Sequence, residues 1–132
     1  MSSPASEVAS ILENQSSLGL HLARNLFVSE MPNDPAAAVA LYDAGGQSPD
    51  PVHDYRRPSV QVRIRGVQSG FQLAYLMAER IRNVLHGLHG VSAGPNVRYL
   101  SIFAEGEPGL VGYDDNRRPI LTCNFSCQRT EG

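Results

Sequence analysis

The chain of 132 residues contains no lysine and no tryptophan, and it has only two cysteines. It also lacks any run near the roughly 18 consecutive apolar residues that a membrane-spanning helix needs. Its first residues carry neither a basic cluster nor an apolar segment, so we expect no secretory signal and synthesis in the cytosol. The apolar fraction of 42% and the charged fraction of 18% are typical of a globular protein, and the length fits one domain over residues 1–132.

All 11 basic residues are arginines, and 13 acidic residues give a formal net charge of −2. This balance gives no electrostatic reason to expect sequence-independent binding to nucleic acid, which depends on many basic contacts to phosphates. Arginine is suited to planar, bidentate pairing with carboxylates at protein interfaces. High genomic GC content would produce the same bias, so both explanations remain open.

The two cysteines, Cys123 and Cys127, lie four positions apart in an alternating apolar segment. In a strand they would share one face about 13 Å apart, at ~3.3 Å per residue. A disulfide requires Cα atoms within about 7 Å. The spacing therefore predicts two buried thiols.

Periodicity predicts two helices and about five strands. The first helix covers residues 6–14, with Ser3 or Ser6 as its cap, and the second begins with a capping box from Ser69 to Gln72 and carries an apolar stripe to Leu88. The strands are expected at residues 25–30, 37–42, 59–65, 97–104 and 119–128. This pattern favours an α+β fold, with a mixed, mostly antiparallel sheet and both helices packed on one face.

The strand at residues 59–65 alternates cleanly, with Val60, Val62 and Ile64 on one face. Gln61, Arg63 and Arg65 lie on the other face. Two interpretations of this polar face are open: a solvated surface, or an interface in which the guanidiniums meet carboxylates of a neighbouring subunit. The carboxylates available as partners are those of Asp43, Asp50, Asp54, Glu79, Asp114 and Asp115.

Residues 44–58 contain two glycines and three prolines, so we expect a long irregular loop there. Such a loop could reach a neighbouring subunit and become ordered on contact. Its polar part carries Asp50, Asp54, Tyr55, Arg56 and Arg57.

No combination of residues predicts catalysis, a metal site or a cofactor. His86 and His89 have possible ligand spacing, but no nearby side chain completes a tetrahedral set, and we expect both to cap the C-terminus of the second helix. His53, Asp54 and Tyr55 in the loop form the alternative candidate for a small enzyme. Because no nucleophile motif accompanies them, we expect a protein without enzymatic activity.

Several segments, in their order and spacing, resemble the minor capsid or tail-terminator proteins of siphophages. They are Asn25-Leu26-Phe27 with Met31-Pro32, the segment at 40–46 (ALYDAGG), Pro58 leading into 60–65 (VQVRIR), Leu85-His86-Gly87-Leu88, the segment at 112–117 (GYDDNR), and Asn124-Phe125. The resemblance departs at Asn116, where a following glycine is expected and Arg117 stands instead.

The resemblance implies a small α+β structural protein of the virion that forms a ring of six like subunits at the head-proximal end of a tail. The implied partners are itself, the major tail-tube protein and a head-completion or neck protein, with DNA only passing through the central channel. A head-completion or stopper subunit at the same junction is the alternative. We expect the ring interface to involve Asp50, Asp54, Tyr55, Arg56, Arg57, Arg63, Arg65, Glu79 and Asp114.

Overall fold

The computed structural model of the chain describes residues 2–48, 52 and 55–131. Two α-helices, a single 3₁₀ turn at Ser16–Leu18 and seven strands make up its regular structure. The elements are α1 (Pro4–Glu13), β1 (Leu26–Val28), β2 (Ala38–Gln47), β3 (Tyr55–Arg65), α2 (Phe71–Leu85), β4 (Val91–Ser92), β5 (Val97–Ala104), β6 (Gly109–Tyr113) and β7 (Pro119–Glu131). The predicted α+β class is confirmed, with more strands than the five expected.

The strands form one sheet in the order β1-β2-β3-β7-β5-β4, and β6 also pairs with β7. Only β1 and β2 run parallel; the other pairs are antiparallel. On the side of β7 away from β3, β6 pairs with residues 119–122 and β5 with residues 125–131. One long strand therefore holds three others in place.

Both helices pack on the same face of this sheet, as predicted. Alternate residues of β3 and β7 point into a single apolar core, and the register places Val62 opposite Cys123 and Val60 opposite Phe125. The helices contribute Val8, Ile11 and Leu12 from α1 and Ala74, Ala78, Ile81 and Leu85 from α2. The opposite face of the sheet carries the polar residues of the same strands.

Both cysteines are free and buried in this core, as predicted. Burial raises the pKa of Cys123 to about 11 and that of Cys127 to about 12. Neither thiol is therefore ionised near neutral pH, and both act as small apolar side chains.

The beginning of α2 differs from the predicted capping box. Ser69 adopts a left-handed conformation with φ 60°, and α2 begins at Phe71 after Gly70, without a side-chain cap. The N–H of Gly70 instead donates to the carbonyl of Val67 at 2.8 Å in a tight turn. Phe71 lies on the surface rather than in the predicted core stripe. The first helix does use its predicted cap, because the Ser3 hydroxyl accepts from the N–H of Ser6 at 3.2 Å.

His86 caps α2 with its backbone, since its N–H donates to the carbonyl of Arg82 at 2.8 Å. Its imidazole ring does not make the predicted interaction with the C-terminus of α2. The Nδ1 atom accepts from the N–H of Ala104 at 2.9 Å, so the imidazole satisfies the end of strand β5 instead of the helix dipole. Nδ1 of His89 lies 3.3 Å from the carbonyl oxygen of Gly87.

The segment between β5 and β7 contains a strand, β6, that the periodicity of the sequence does not predict. Its two glycines, Gly109 and Gly112, disguise it, and a bulge between Leu110 and Gly112 interrupts its register with β7. Residues 113–117 form a turn, in which the N–H of Asp114 donates to the carbonyl of Arg118 at 3.0 Å.

A buried polar cluster ties α1 to the C-terminal half of the sheet. Oε1 of Glu7 accepts from Nη1 of Arg129 and from the hydroxyl of Tyr99, each at 2.8 Å. All three side chains are almost fully buried, and burial together with the Glu7 contact raises the pKa of Tyr99 far above its ordinary value. The helical spacing of Glu7 with Ile11, and the strand alternation that places Arg129 on the face of Cys127, were the signals that could have revealed the cluster.

Removing one partner of the buried Glu7–Arg129 ion pair should destabilise the fold strongly. We expect Arg129→Met to lower the free energy of unfolding by about 3–5 kcal/mol, because it leaves the carboxylate of Glu7 buried without its countercharge. Urea unfolding followed by circular dichroism measures the change. Arg98→Met, at an exposed position of β5, is the matched control and should stay within about 0.5 kcal/mol of the parent protein. Equal losses in the two variants would contradict the role given to the cluster.

Candidate assembly surface

The β2–β3 hairpin replaces most of the predicted loop at residues 44–58, and the start of β3 remains paired with β7. Strand β2 continues to Gln47 and β3 begins at Tyr55, with Gln47 paired to Arg57. The prediction that glycine and proline exclude regular structure here was wrong. The glycines lie in a bulge between Asp43 and Gly46, where an irregular backbone is required, and Pro58 lies opposite that bulge.

Gly46 is the residue that lets the two arms of the hairpin approach. Its φ is +134°, and a Cβ atom there would lie 2.2 Å from the carbonyl oxygen of Arg57. Since backbone atoms cannot yield as a flexible side chain can, any other residue would push the strands apart. The hairpin therefore depends on this one position.

Three predicted interface residues lie at the start of β3. Tyr55 pairs with Thr130 and Arg56 with Arg129 in the ladder with β7. Arg57 is half-buried, and its Nη2 donates to the carbonyl of Ser48 at 2.7 Å. Among the described residues, no hydrogen-bond partner meets its buried Nε. The structure thus places all three where the hairpin meets the sheet.

Arg63 lies on the polar face of the sheet, which we call the open face and define by Ser59, Gln61, Arg63, Thr122, Asn124, Ser126 and Gln128. Nε of Arg63 donates to Oε1 of Gln61 at 3.0 Å, and its Cζ lies 5.6 Å from the centre of the Tyr42 ring. The ring and the amide hold the guanidinium in one orientation, and no acid among the described residues forms an ion pair with it. Arg63 therefore remains suited to bind a carboxylate from outside.

Arg65 has a different environment, although it follows Arg63 on the same face. It is only 6% exposed, and its guanidinium donates to the carbonyls of Pro32, Pro35 and Ala36 at 2.5, 2.8 and 2.8 Å. Segment 32–36 folds back over this end of the strand. Burial and the nearby Arg118 lower the pKa of Arg65. Its donors bind its own chain, so the structure gives Arg65 a role in folding rather than at the surface.

Asp114 likewise binds within the chain. Its Oδ2 accepts from Nε of Arg118 at 2.7 Å, and its Oδ1 accepts from the N–H groups of Asn116 and Arg118 at 2.9 Å each. Arg118 also donates to the carbonyl of Asn33 at 2.8 Å and to its Oδ1 at 2.6 Å. The hydrogen bonds from Arg118 hold the pKa of Asp114 below its usual value. Together Arg65 and Arg118 fix segment 32–36.

Of the remaining predicted interface residues, Glu79 lies on the outer side of α2 and its side chain is half-buried. A hydrogen bond with Glu79 raises the pKa of Tyr75. Asp50, Asp54 and the alternative catalytic candidate His53 lie outside the described residues. The part of the chain that the structure describes contains no group of three or more His, Cys, Asp or Glu side chains arranged to hold a metal ion.

The sequence model of a family described as bacteriophage tail terminator protein matches residues 10–131. The chain belongs to this family. As a bacteriophage tail terminator family member, it is a structural protein of the virion. The resemblance noted in the sequence is thereby confirmed.

The fold is also that of a solved structure titled "Virion of native gene transfer agent (GTA) particle". The two chains superpose with a TM-score of 0.67 at 14% sequence identity, over 99% of this chain and 100% of the other. At that identity the likeness shows a shared fold. No curated protein sequence matches the chain. Among the described residues of this tail terminator family member, no helix is long and apolar enough to cross a membrane.

Substitutions of Arg63 and Arg65 should have different effects on the free energy of unfolding. We expect Arg65→Met to lower the free energy of unfolding by about 2–4 kcal/mol, since three charge-assisted hydrogen bonds are lost and their carbonyls stay covered. Arg63→Met should cost less than about 1 kcal/mol, because its contacts are at the surface. Chemical denaturation of both variants measures the difference. A similar loss in the two would contradict the separate roles assigned here.

The stability of the β2–β3 hairpin should likewise depend on Gly46. We expect Gly46→Ala to cost about 1–3 kcal/mol, because the new Cβ meets backbone and φ is unfavourable for alanine. Gly106→Ala is the matched control, since nothing lies within 4 Å of a Cβ at that position. Amide hydrogen exchange should show faster exchange in β2 and β3 of the Gly46 variant alone. Unchanged protection of the hairpin would refute the assignment.

Proposed function

We propose that the protein forms a closed ring of like subunits at the head-proximal end of a tail, where it ends growth of the tail tube and joins the tail to the neck. The observation that carries the proposal is the tail terminator family match over residues 10–131. The proposed ring has six subunits, as the resemblance to siphophage terminators implies. Its proposed partners are the major tail-tube protein and a head-completion or neck protein, with DNA passing through the bore.

The distribution of free and closed strand edges supports a ring. The outer edge of β5 is closed by the chain after α2, since the N–H of Gly87 donates to the carbonyl of Ile102 at 2.7 Å and Ile102 donates to Leu88 at 3.0 Å. Strand β1 ends the sheet on one side, where Leu26 is covered because its N–H donates to the carbonyl of His21 at 3.2 Å and its carbonyl accepts from the N–H of Ala23 at 3.0 Å. On the other side, β6 has β7 as its partner strand. Uncovered strand edges are sites where a second chain can pair. Different edges at opposite sides suit head-to-tail contacts, which close into rings.

The hairpin and the open face supply the polar part of the proposed interface. Tyr55, Arg56, Arg57 and Arg63 remain candidates for contact with carboxylates of the next subunit, with Asp50, Asp54 and Glu79 among the acids available. We no longer include Arg65 and Asp114, because their polar atoms bind within the chain. A loop-borne catalytic site at His53, Asp54 and Tyr55 is not retained, since the family is one of structural tail proteins.

The proposal predicts that shortening the hairpin and reversing the charge of Arg63 will disrupt the ring. We expect a variant with Arg63→Glu and a Gly-Ser turn in place of residues 48–55 to sediment as monomer under conditions where the parent protein forms rings. The physical reason is that the variant loses both the end of the hairpin and the guanidinium of Arg63, which are the proposed contacts to the next subunit. Arg117→Glu, on an exposed turn, is the charge control and should retain the ring.

Electron microscopy of particles assembled without the protein tests its role. Overlong tails are expected if the protein ends growth of the tube, and the hairpin variant should fail to restore normal length. Leaking heads accompanied by free tails of normal length would instead identify a stopper and overturn the proposed function.

A further inference from the structure

One flank of α2 is apolar and uncovered, and a groove runs beside it. Leu73 is 70% exposed and Leu76 is 43% exposed, although both belong to a helix that packs on the core. The groove has a volume of about 280 Å³ and lies between α2 and the β1–β2 side of the sheet. Its apolar lining includes Leu20, Val39, Ile64, Leu73, Leu76 and Met77. We call it the α2 groove.

A second exposed apolar surface lies beyond β7, on strand β6 at the edge of the sheet. Leu110, Val111 and Tyr113 of β6 are 48%, 60% and 58% exposed, respectively. We call these three residues the β6 patch. They lie on a strand whose one side pairs with β7, so the patch projects from the sheet edge while the α2 groove is concave. A chain with two such surfaces exposes apolar area that monomeric proteins usually cover.

The two surfaces lie at the same height on the sheet. One row of paired residues crosses the five strands β6, β7, β3, β2 and β1. In this row Leu110 pairs with Leu121, Leu121 with Ile64, Ile64 with Val39, and Val39 with Leu26. Directly paired residues share a face of the sheet. Leu110 therefore lies on the helix side, as the α2 groove does, and at the same level as the Val39 and Ile64 of its lining.

We propose that the β6 patch of one subunit occupies the α2 groove of the next copy, an inference that rests on the ring assembly proposed above. The contact joins unlike surfaces, so each subunit keeps one surface for each neighbour. In a ring whose axis runs along these strands, two level surfaces add little axial offset from one subunit to the next. Such a repeat can close on itself, whereas a vertical offset would produce a helical filament.

The charges around the two surfaces agree with a second copy as the occupant. The charged residues lining the α2 groove are Arg65, whose Nε and Nη2 already bind carbonyls of segment 32–36, and Arg80, which is exposed. The segment leading into β6 carries Glu105 and Glu107, both exposed. Glu105 accepts from the hydroxyl of Ser126 at 2.6 Å, and Glu107 makes a long, exposed ion pair with Arg82 at 4.0 Å. Seating the β6 patch would bring these acids toward the arginine at the groove rim, which favours this pairing over contact between two grooves.

A mixing experiment tests the pairing of unlike surfaces. Leu73→Asp places a charge in the α2 groove, and Val111→Asp places one in the β6 patch; each variant alone should fail to form rings on tail tubes or in solution. An equimolar mixture contains one intact groove and one intact patch, so it should form dimers that grow no further. Gln72→Asp and Leu100→Asp, at exposed positions of α2 and β5 outside the two surfaces, are matched controls and should form rings.

Cross-linking tests the same contact without introducing a charge into the α2 groove or the β6 patch. Leu73→Cys and Val111→Cys, combined in one chain, should join with a short bismaleimide into a ladder of covalent oligomers in assembled tails. Each single variant should give no ladder. The native Cys123 and Cys127 are buried with raised pKa values and leave little background.

The outcomes separate this inference from the proposed function. Rings formed by Leu73→Asp or Val111→Asp, or monomers in their mixture, would overturn the pairing of groove and patch and leave the ring itself intact. Absence of a ladder from the double cysteine variant in tails of normal length would do the same. If the parent protein forms no ring even on tail tubes, the proposed function fails, and this inference fails with it.

Discussion

Strand β7 is the element on which the rest of the structure depends. Its 13 residues pair with β3 on one side and with both β5 and β6 on the other. Its inward side chains form the floor beneath α2, and its Arg129 reaches across to Glu7 of α1. A fault in this strand would therefore disturb both helices, both sheet edges and the surfaces proposed for assembly.

Arginine performs two separate tasks in this chain, which bears on the complete lack of lysine. Arg65 bonds to three carbonyls at once, and Arg118 bonds simultaneously to Asp114 and to two oxygens of Asn33. A planar guanidinium with five donors can make such contacts, while a lysine ammonium concentrates its donors at one point. Genomic bias can explain the exposed arginines, but these two positions have a structural requirement of their own.

The parts of the fold that could be predicted were those with an uninterrupted period. Alternation at residues 59–65 and 119–128 identified the two central strands and the faces of their side chains, because both strands are buried on one side only. The hairpin was missed because its glycines and Pro58 occupy a bulge, where residues that break ordinary strands are required. Strand β6 was missed because a short edge strand needs little apolar alternation. The burial of Arg65 depends on segment 32–36 returning from 30 positions away, which local periodicity cannot show.

The end of the hairpin and the α2 groove lie at opposite ends of strands β2 and β3. The hairpin lies where β2 ends and β3 begins, while the α2 groove uses Val39 near the start of β2 and Ile64 near the end of β3. In the proposed ring, neighbouring subunits would thus make two separate contacts. One is polar and involves the hairpin, and the other is apolar and involves the α2 groove. A single contact leaves a hinge between rigid bodies, whereas two separated contacts fix the angle between them. Because a closed ring tolerates only one such angle, the separation of the two regions suits the protein to closure rather than to continued growth.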